Sequence, residues 1–148
     1  MKKLIYTYLF AFLIATIIVS CSKDKEKIVT IISKQRCESQ VELIPQALRQ
    51  LYSAGINSNM KLKLEYYFYT TSEIQAKKLS KKLDSLNYSS VYRLANGSKR
   101  EFVITGYSLP VKMDENNIKE WTLTMCNLGI SFDCDFDGWQ VSPNKNSK

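Results

Sequence analysis

Phe132-Asp-Cys-Asp-Phe-Asp-Gly-Trp139 decides how the chain closes. Phe132, Cys134 and Phe136 alternate with Asp133, Asp135 and Asp137. A period of two is that of a half-buried β-strand, whose successive side chains point to opposite faces of the pleat. Gly138 interrupts the alternation just before Trp139, as a bulge or a close backbone approach would. The stretch reads as the closing strand, with its apolar side on the core and its aspartates on the open face.

Those aspartates invite two chemical readings, and the pattern opposes both. Asp133, Asp135, Asp137 and Gly138 match the first half of a calcium loop, D-x-D-x-D-G, but the twelfth position holds Asn144 instead of a bidentate Glu. A strand also splays its carboxylates along a flat face, so no metal site is expected. Neighbouring aspartates on one strand face stand about 7 Å apart, a spacing an inverting glycosidase could use. Carboxylates on an open face have nothing to raise one pKa above the other, so a hydrolase that depends on them is the weakest reading. With no histidine in the chain, the usual zinc, triad and general-base arrangements are missing. No catalytic residue and no cofactor are expected.

The partner strand of this closing segment is Lys61–Tyr69. Leu62, Leu64, Tyr66 and Phe68 face in, while Lys63, Glu65, Tyr67 and Tyr69 face out. Ser72 with Gln75 forms a capping-box signature opening a helix to about Leu86, with Ala76, Leu79, Leu83 and Leu86 as its buried stripe. Lys77, Lys78, Lys81 and Lys82 cover its solvent side, where a wet surface is expected ahead of a docking patch. Two strands, Tyr88–Leu94 and Arg100–Tyr107, flank Ala95-Asn-Gly-Ser98, a hairpin signal. Asp114 is a suitable N-cap for a helix with the stripe Ile118, Trp121, Met125 and Leu128, which Gly129 ends. The order βαββαβ with right-handed crossovers predicts an α+β fold of ferredoxin-like type: a four-stranded antiparallel sheet with two helices on one face. A helix over Gln40–Ala54, with Leu43, Ala47, Leu51 and Ala54 buried and Gly55 as its cap, precedes it.

The N-terminus has a different composition. Lys2 and Lys3 precede Leu4–Val19, a stretch without charge that suits a signal peptide better than a membrane span. Ile18-Val-Ser-Cys21 resembles a bacterial lipobox, which implies cleavage before Cys21 and lipidation of that residue. Several acyl chains make a stable anchor where one is marginal. The expected organisation is therefore a lipoprotein signal peptide over 1–20, a tether over 21–38, a domain over 39–141 with its core at 60–139, and a polar tail over 142–148. The formal charge of +7 is spread along the 148 residues without a dense basic cluster; acidic surfaces or anionic lipid are the partners such a charge could favour, with solubility its ordinary use. Export leaves Cys37, Cys126 and Cys134 where disulfides persist. Cys126 and Cys134, on consecutive elements, are the favoured pair, with two small buried hydrophobes as the alternative.

Leu64-Glu-Tyr-Tyr-Phe-Tyr69, Ala76, Leu79 and Leu83, Lys112-Met-Asp114, Trp121, Met125-Cys126 and Cys134-Asp-Phe-Asp-Gly-Trp139 together resemble the domain of regulator of ribonuclease E activity B. Trp121, Asp137, Gly138 and Trp139 carry most of that resemblance. It implies a small α/β domain that acts by protein contact without catalysis, the named regulator being an inhibitor of ribonuclease E. Ribonuclease is accordingly the partner the resemblance implies, and the lipobox implies a membrane-anchored protein of the cell envelope facing away from the cytoplasm. The alternative is an extracytoplasmic module for an extended peptide or nucleic acid. In that reading Tyr67 and Tyr69 would be stacking platforms beside Lys61 and Lys63. Asp133, Asp135 and Asp137 on the same face would repel phosphate, so nucleic acid is not the expected partner. The expected interaction face is Lys63, Glu65, Tyr67, Tyr69, Asp133, Asp135 and Asp137.

Cys21→Ala should give an uncleaved precursor that takes up no labelled fatty acid, whereas the native chain is labelled. Equal labelling of the two would sink the lipid anchor.

Overall fold

The computed structural model describes residues 31–141, so the expected leader over 1–20, Cys21 and the polar tail over 142–148 lie outside the described residues. The chain divides between Ile32 and Ser33, and the folded domain is the unit that begins at Ser33. Helix α1 occupies residues 31–53. After it come β1 (Lys61–Leu62), β2 (Leu64–Thr70), α2 (Glu73–Ser85), β3 (Ser89–Leu94), β4 (Phe102–Tyr107), β5 (Val111–Lys112), α3 (Glu115–Ser131) and β6 (Asp135–Val141). The main sheet is antiparallel in the order β3-β4-β2-β6, and β1 pairs with β5 in a separate two-stranded ribbon. The buried faces of α2, α3 and the sheet share one core, which is the ferredoxin-like arrangement.

The alternation in β2 sets that core. Leu64, Tyr66 and Phe68 are completely buried, and Glu65, Tyr67 and Tyr69 stand on the other face. The expected single strand is broken at Lys63, because Leu62 pairs with Val111 in the ribbon and Leu64 with Val141 in the sheet. Five aromatic rings then close on themselves. Tyr66 meets Phe68 at 5.8 Å between centroids, Phe68 meets Phe136 at 5.1 Å, and Phe136 meets Trp121 at 6.2 Å. Trp121 Nε1 donates to the Tyr88 hydroxyl at 3.0 Å, and Tyr88 returns to Tyr66 at 6.1 Å. Tilted and edge-on pairs at such distances add about 0.5–1.5 kcal/mol each beyond the area they bury. The Tyr66 hydroxyl crosses Gly106 to donate to the Ser89 carbonyl at 2.7 Å. A Cβ at Gly106 would lie 2.8 Å from that hydroxyl and 1.7 Å from the Ser89 oxygen, so only glycine fits. Burial raises the Tyr66 pKa, keeping the phenol neutral as a donor.

Local signals place most boundaries. Ser72 caps α2 by accepting from Gln75 N, and Asp114 caps α3 by accepting from Asn117 N at 3.0 Å. The hairpin turns with Ser98 N donating to Ala95 O at 3.0 Å. At the end of α1, Ile56 N donates to Leu51 O and Gly55 N to Tyr52 O, the paired bonds of a Schellman cap.

Three elements differ from expectation. The first helix is already formed at residue 31, with Cys37, Ile44 and Leu48 buried, while Leu43 is 56% exposed. Residues 33–38 therefore belong to the fold, and Pro45 sits well inside the helix. Gly129 does not end α3, which runs on to Ser131; the buried Gly129 carbonyl accepts from Phe132 N and Cys134 N. The expected Cys126–Cys134 bond is replaced by Cys37–Cys126, whose Cα atoms are 5.8 Å apart. Cys126 faces α1 across the core, whereas Cys134 is held in the turn after α3 as a buried thiol. Its sulfur donates to Phe132 O, and burial pushes its pKa up to about 12, so it is no thiolate at ordinary pH.

Alkylation of the folded, unreduced protein should leave Cys134 unmodified, and denaturation without reductant should expose it. Peptide mapping should recover Cys37 linked to Cys126. A peptide joining Cys126 to Cys134 would overturn the pairing.

Candidate interaction surface

β2 carries the centre of the outer sheet face. Strand register sets Tyr69 between Val103 of β4 and Asp135 of β6. Tyr67 lies between Thr105 and Gly138, and Glu65 between Tyr107 and Gln140. Gln140 Nε2 joins two of these residues, donating to Glu65 Oε2 and to the Tyr67 hydroxyl, each at 2.8 Å. Burial and the neighbouring Glu65 raise the Tyr67 pKa, so the ring presents a neutral phenol. Val103 is only 4% exposed although it lies on the face away from the helices, opposite both Tyr69 and Arg93.

One wall rises beside this floor. α1 runs along the free edge of β6, where Ser33 Oγ donates to Asp135 Oδ1 at 2.9 Å and Arg36 pairs with Asp135 Oδ2 at 2.8 Å. Gln40 Nε2 donates to the Asp137 carbonyl at 3.0 Å, satisfying an edge acceptor that would otherwise meet water or another strand. The result is an open groove of about 780 Å³, lined among others by Arg36, Gln40, Tyr67, Tyr69, Arg93 and Glu101.

The sequence-predicted residues are only partly gathered here. Glu65, Tyr67, Tyr69, Asp135 and Asp137 share the outer side of the sheet. Lys63 falls in the break between β1 and β2. Asp133 is not in the strand: its backbone has φ +51° in the turn after α3, and its carboxylate accepts from Gln75 Nε2 at 2.9 Å. The row of three aspartates therefore does not exist. A bulge separates the remaining two, because Phe68 pairs with Phe136 and Tyr67 with Gly138, leaving Asp137 as the extra residue. Arg36, Gln140 and Val103 were missed by sequence reading. Their signals were an unrecognised helix turn for Arg36 and ordinary strand residues for the other two.

Residues of the family resemblance are mostly architectural. Trp121 closes the aromatic ring of the core. Gly138 adopts φ +124° and makes the bulge, and a Cβ there would press on Gln40 at 3.2 Å. Trp139 then turns to the helix side opposite Tyr66, lining an apolar cleft of about 410 Å³ with Leu43, Ile44, Leu51 and Val141.

Two of the acidic side chains are used to hold neighbouring elements. Asp133 holds α2 and Asp135 holds α1. Among the described residues no three His, Cys, Asp or Glu side chains come together as a metal site. Aromatic area flanked by charges of both signs suits the rim and floor of a protein contact.

Asp135→Asn should loosen the start of α1, speeding amide exchange over residues 33–40. The unfolding free energy should fall by less than ~1 kcal/mol, since the ion pair is half exposed and the disulfide remains. Unchanged exchange would mean that Asp135 is not what holds the wall.

No curated protein matches this chain. Its residues 44–141 match the sequence profile of a family described as "Regulator of ribonuclease activity B", a span covering well over half of the chain and all of the main sheet. The chain belongs to that family.

Proposed function

We propose that the chain is a non-catalytic regulator that binds a protein through its outer sheet face, with a ribonuclease as the class of partner that the family description supplies. The observation that carries this reading is the use made of the acidic residues. Two of the three aspartates that could have served chemistry are bonded to neighbouring elements, while Tyr67 and Tyr69 remain as a half-exposed aromatic floor. Tyrosine supplies large, rigid contact area and a polar tip, the combination enriched at protein interfaces. With Asp135 paired to Arg36, the remaining Glu65, Glu101 and Asp137 still outnumber Arg93 around that floor, which disfavours a phosphate backbone and supports protein over nucleic acid.

The proposal includes a lipid anchor on Cys21, supported by the leader and the small Ser20 before it. A disulfide between Cys37 and Cys126 suits the oxidising side of the membrane to which such an anchor leads. The partner is then met by a domain held close to the bilayer.

A photo-crosslinking residue in place of Tyr69 should give a discrete protein adduct in intact membranes. Purified ribonuclease E is the first protein to test for it, with its RNA cleavage rate as the second readout. Tyr67→Ala with Tyr69→Ala should weaken binding at least about tenfold, as loss of interface anchors does, while the melting temperature stays nearly constant. Crosslinks only to lipid or to the chain itself, with cleavage unchanged, would overturn the proposal.

A further inference from the structure

The outward side of α2 has a composition that neither the core nor the groove explains. Ala76, Leu79, Ser80 and Leu83 form its buried side. Directly opposite stands Ile74, 68% exposed and the most exposed large hydrophobic residue among those described. At 100° per residue, Lys77 and Lys81 flank Ile74 on one side and Lys78 and Lys82 on the other, and all four are exposed. Glu73, four residues before Lys77, and Asp84, three after Lys81, border this patch on one flank and leave Lys78 and Lys82 on the other. The neighbouring α3 shows Glu115, Lys119 and Glu120 outward, with Lys119 already paired to Glu115 at 2.6 Å. The positive face is thus α2's own, with an aliphatic side chain at its N-terminal end.

Where the chain enters the fold gives a second argument. Ser33 is bonded to Asp135 at the start of β6, and Asp133, two residues earlier, is bonded to Gln75 in the first turn of α2. The entry point and Ile74 are therefore at the same end of the domain. Twelve residues lead from Cys21 to Ser33, and a fully extended chain of that length reaches at most ~40 Å.

We infer that the outward face of α2 docks on a membrane of anionic phospholipid, with Lys77, Lys78, Lys81 and Lys82 at the headgroups and Ile74 in the interface. The inference rests on the Cys21 anchor proposed above only for the tether. Each lysine near such a surface contributes about a fivefold gain, and an aliphatic side chain among them adds apolar burial. In a two-layer fold, docking through the helix layer turns the outer sheet face away from the bilayer. Tyr67 and Tyr69 are then presented to a partner while α2 holds the domain down.

The test uses the full chain reconstituted in phosphatidylcholine vesicles with or without phosphatidylglycerol. An environment-sensitive dye is attached at Ile74→Cys, and a control dye at Val91→Cys on β3. The buried Cys134 does not compete for labelling. The expected result is a blue shift at position 74 in anionic vesicles only, reversed by high salt and lost in Lys77→Glu with Lys81→Glu, with position 91 unchanged. Lack of a shift, an equal shift in neutral vesicles, or a shift that ignores salt would overturn the inference. So would a shift that appears only on adding RNA or the partner protein, which would give the face to that ligand. Fatty-acid labelling of Cys21, measured on the same preparations, reports separately on the anchor. The uncleaved Cys21→Ala chain keeps its own apolar leader, so the dye experiment can succeed where the lipid reading fails.

Discussion

A single extra residue in β6 sets which side of the sheet its second half faces. Side chains alternate strictly along a strand, so Phe136 on the core side would normally send Trp139 to the outer face. The bulge at Asp137 and Gly138 changes that parity. Phe136 pairs with Phe68 and Trp139 with Tyr66, so both large aromatics reach the helix side of one short strand. The conformation needs φ +124° at the second bulged position, which only glycine adopts without strain. Val141 then joins Trp139 on the core side opposite Leu64, and Gln140 is left outside to bind Glu65 and Tyr67. Core packing and the floor of the groove both depend on that one register change.

The edge of β6 is then a hazard that α1 removes. An unpaired strand edge offers backbone groups to any other strand. Here Gln40 takes the Asp137 carbonyl, and the Asp135 side chain holds Ser33 and Arg36. The Cys37–Cys126 bond fixes the same helix to α3 across a sequence separation of 89. Closing so long a loop restricts the unfolded chain by an amount worth about 4–5 kcal/mol by loop-closure entropy. The ion pair is too exposed to contribute comparably. Covalent chemistry therefore holds α1 in place, and polar contacts aim its side chains at the groove.

The sheet was largely legible in the sequence because alternation and turn residues are local signals. Leu64, Tyr66 and Phe68 could be assigned to the core from spacing alone, and Ser72, Asp114 and Asn96-Gly97 marked their own boundaries. Gly138 was recognisable as a break in pattern. What failed depended on contacts distant in the chain. Asp133 extends the alternation of Asp135 and Asp137 on paper, but Phe132 belongs to the cap of α3, so the strand starts later than its pattern. Cys126 faces Cys37 because α1 crosses α3, and no spacing between Cys126 and Cys134 carries that information. The early turns of α1 were hidden because Ser33, Lys34, Gln35, Arg36, Glu38 and Ser39 read as a polar tether. Only Cys37, Val41, Ile44 and Leu48 reveal its buried side, at helical spacing.

The boundary of the family match separates two parts of the groove. Residues 44–141 include all four strands of the sheet, with Tyr67, Tyr69 and Val103 on its floor. Ser33, Arg36, Cys37 and Gln40 precede that stretch, so the family pattern accounts for the floor and not for the wall. The wall matters physically because it converts an open sheet face into a groove with one charged side. Arg36 brings a guanidinium to within 2.8 Å of Asp135 and neutralises the carboxylate that would otherwise dominate that end. A partner shaped to a bare sheet face would meet α1 as an obstruction, whereas one shaped to a groove would gain contacts along it. Selectivity among partners is a difference between such gains and clashes. In this chain the turns of α1 that lie before the shared fold supply the wall on which the proposed selectivity would depend.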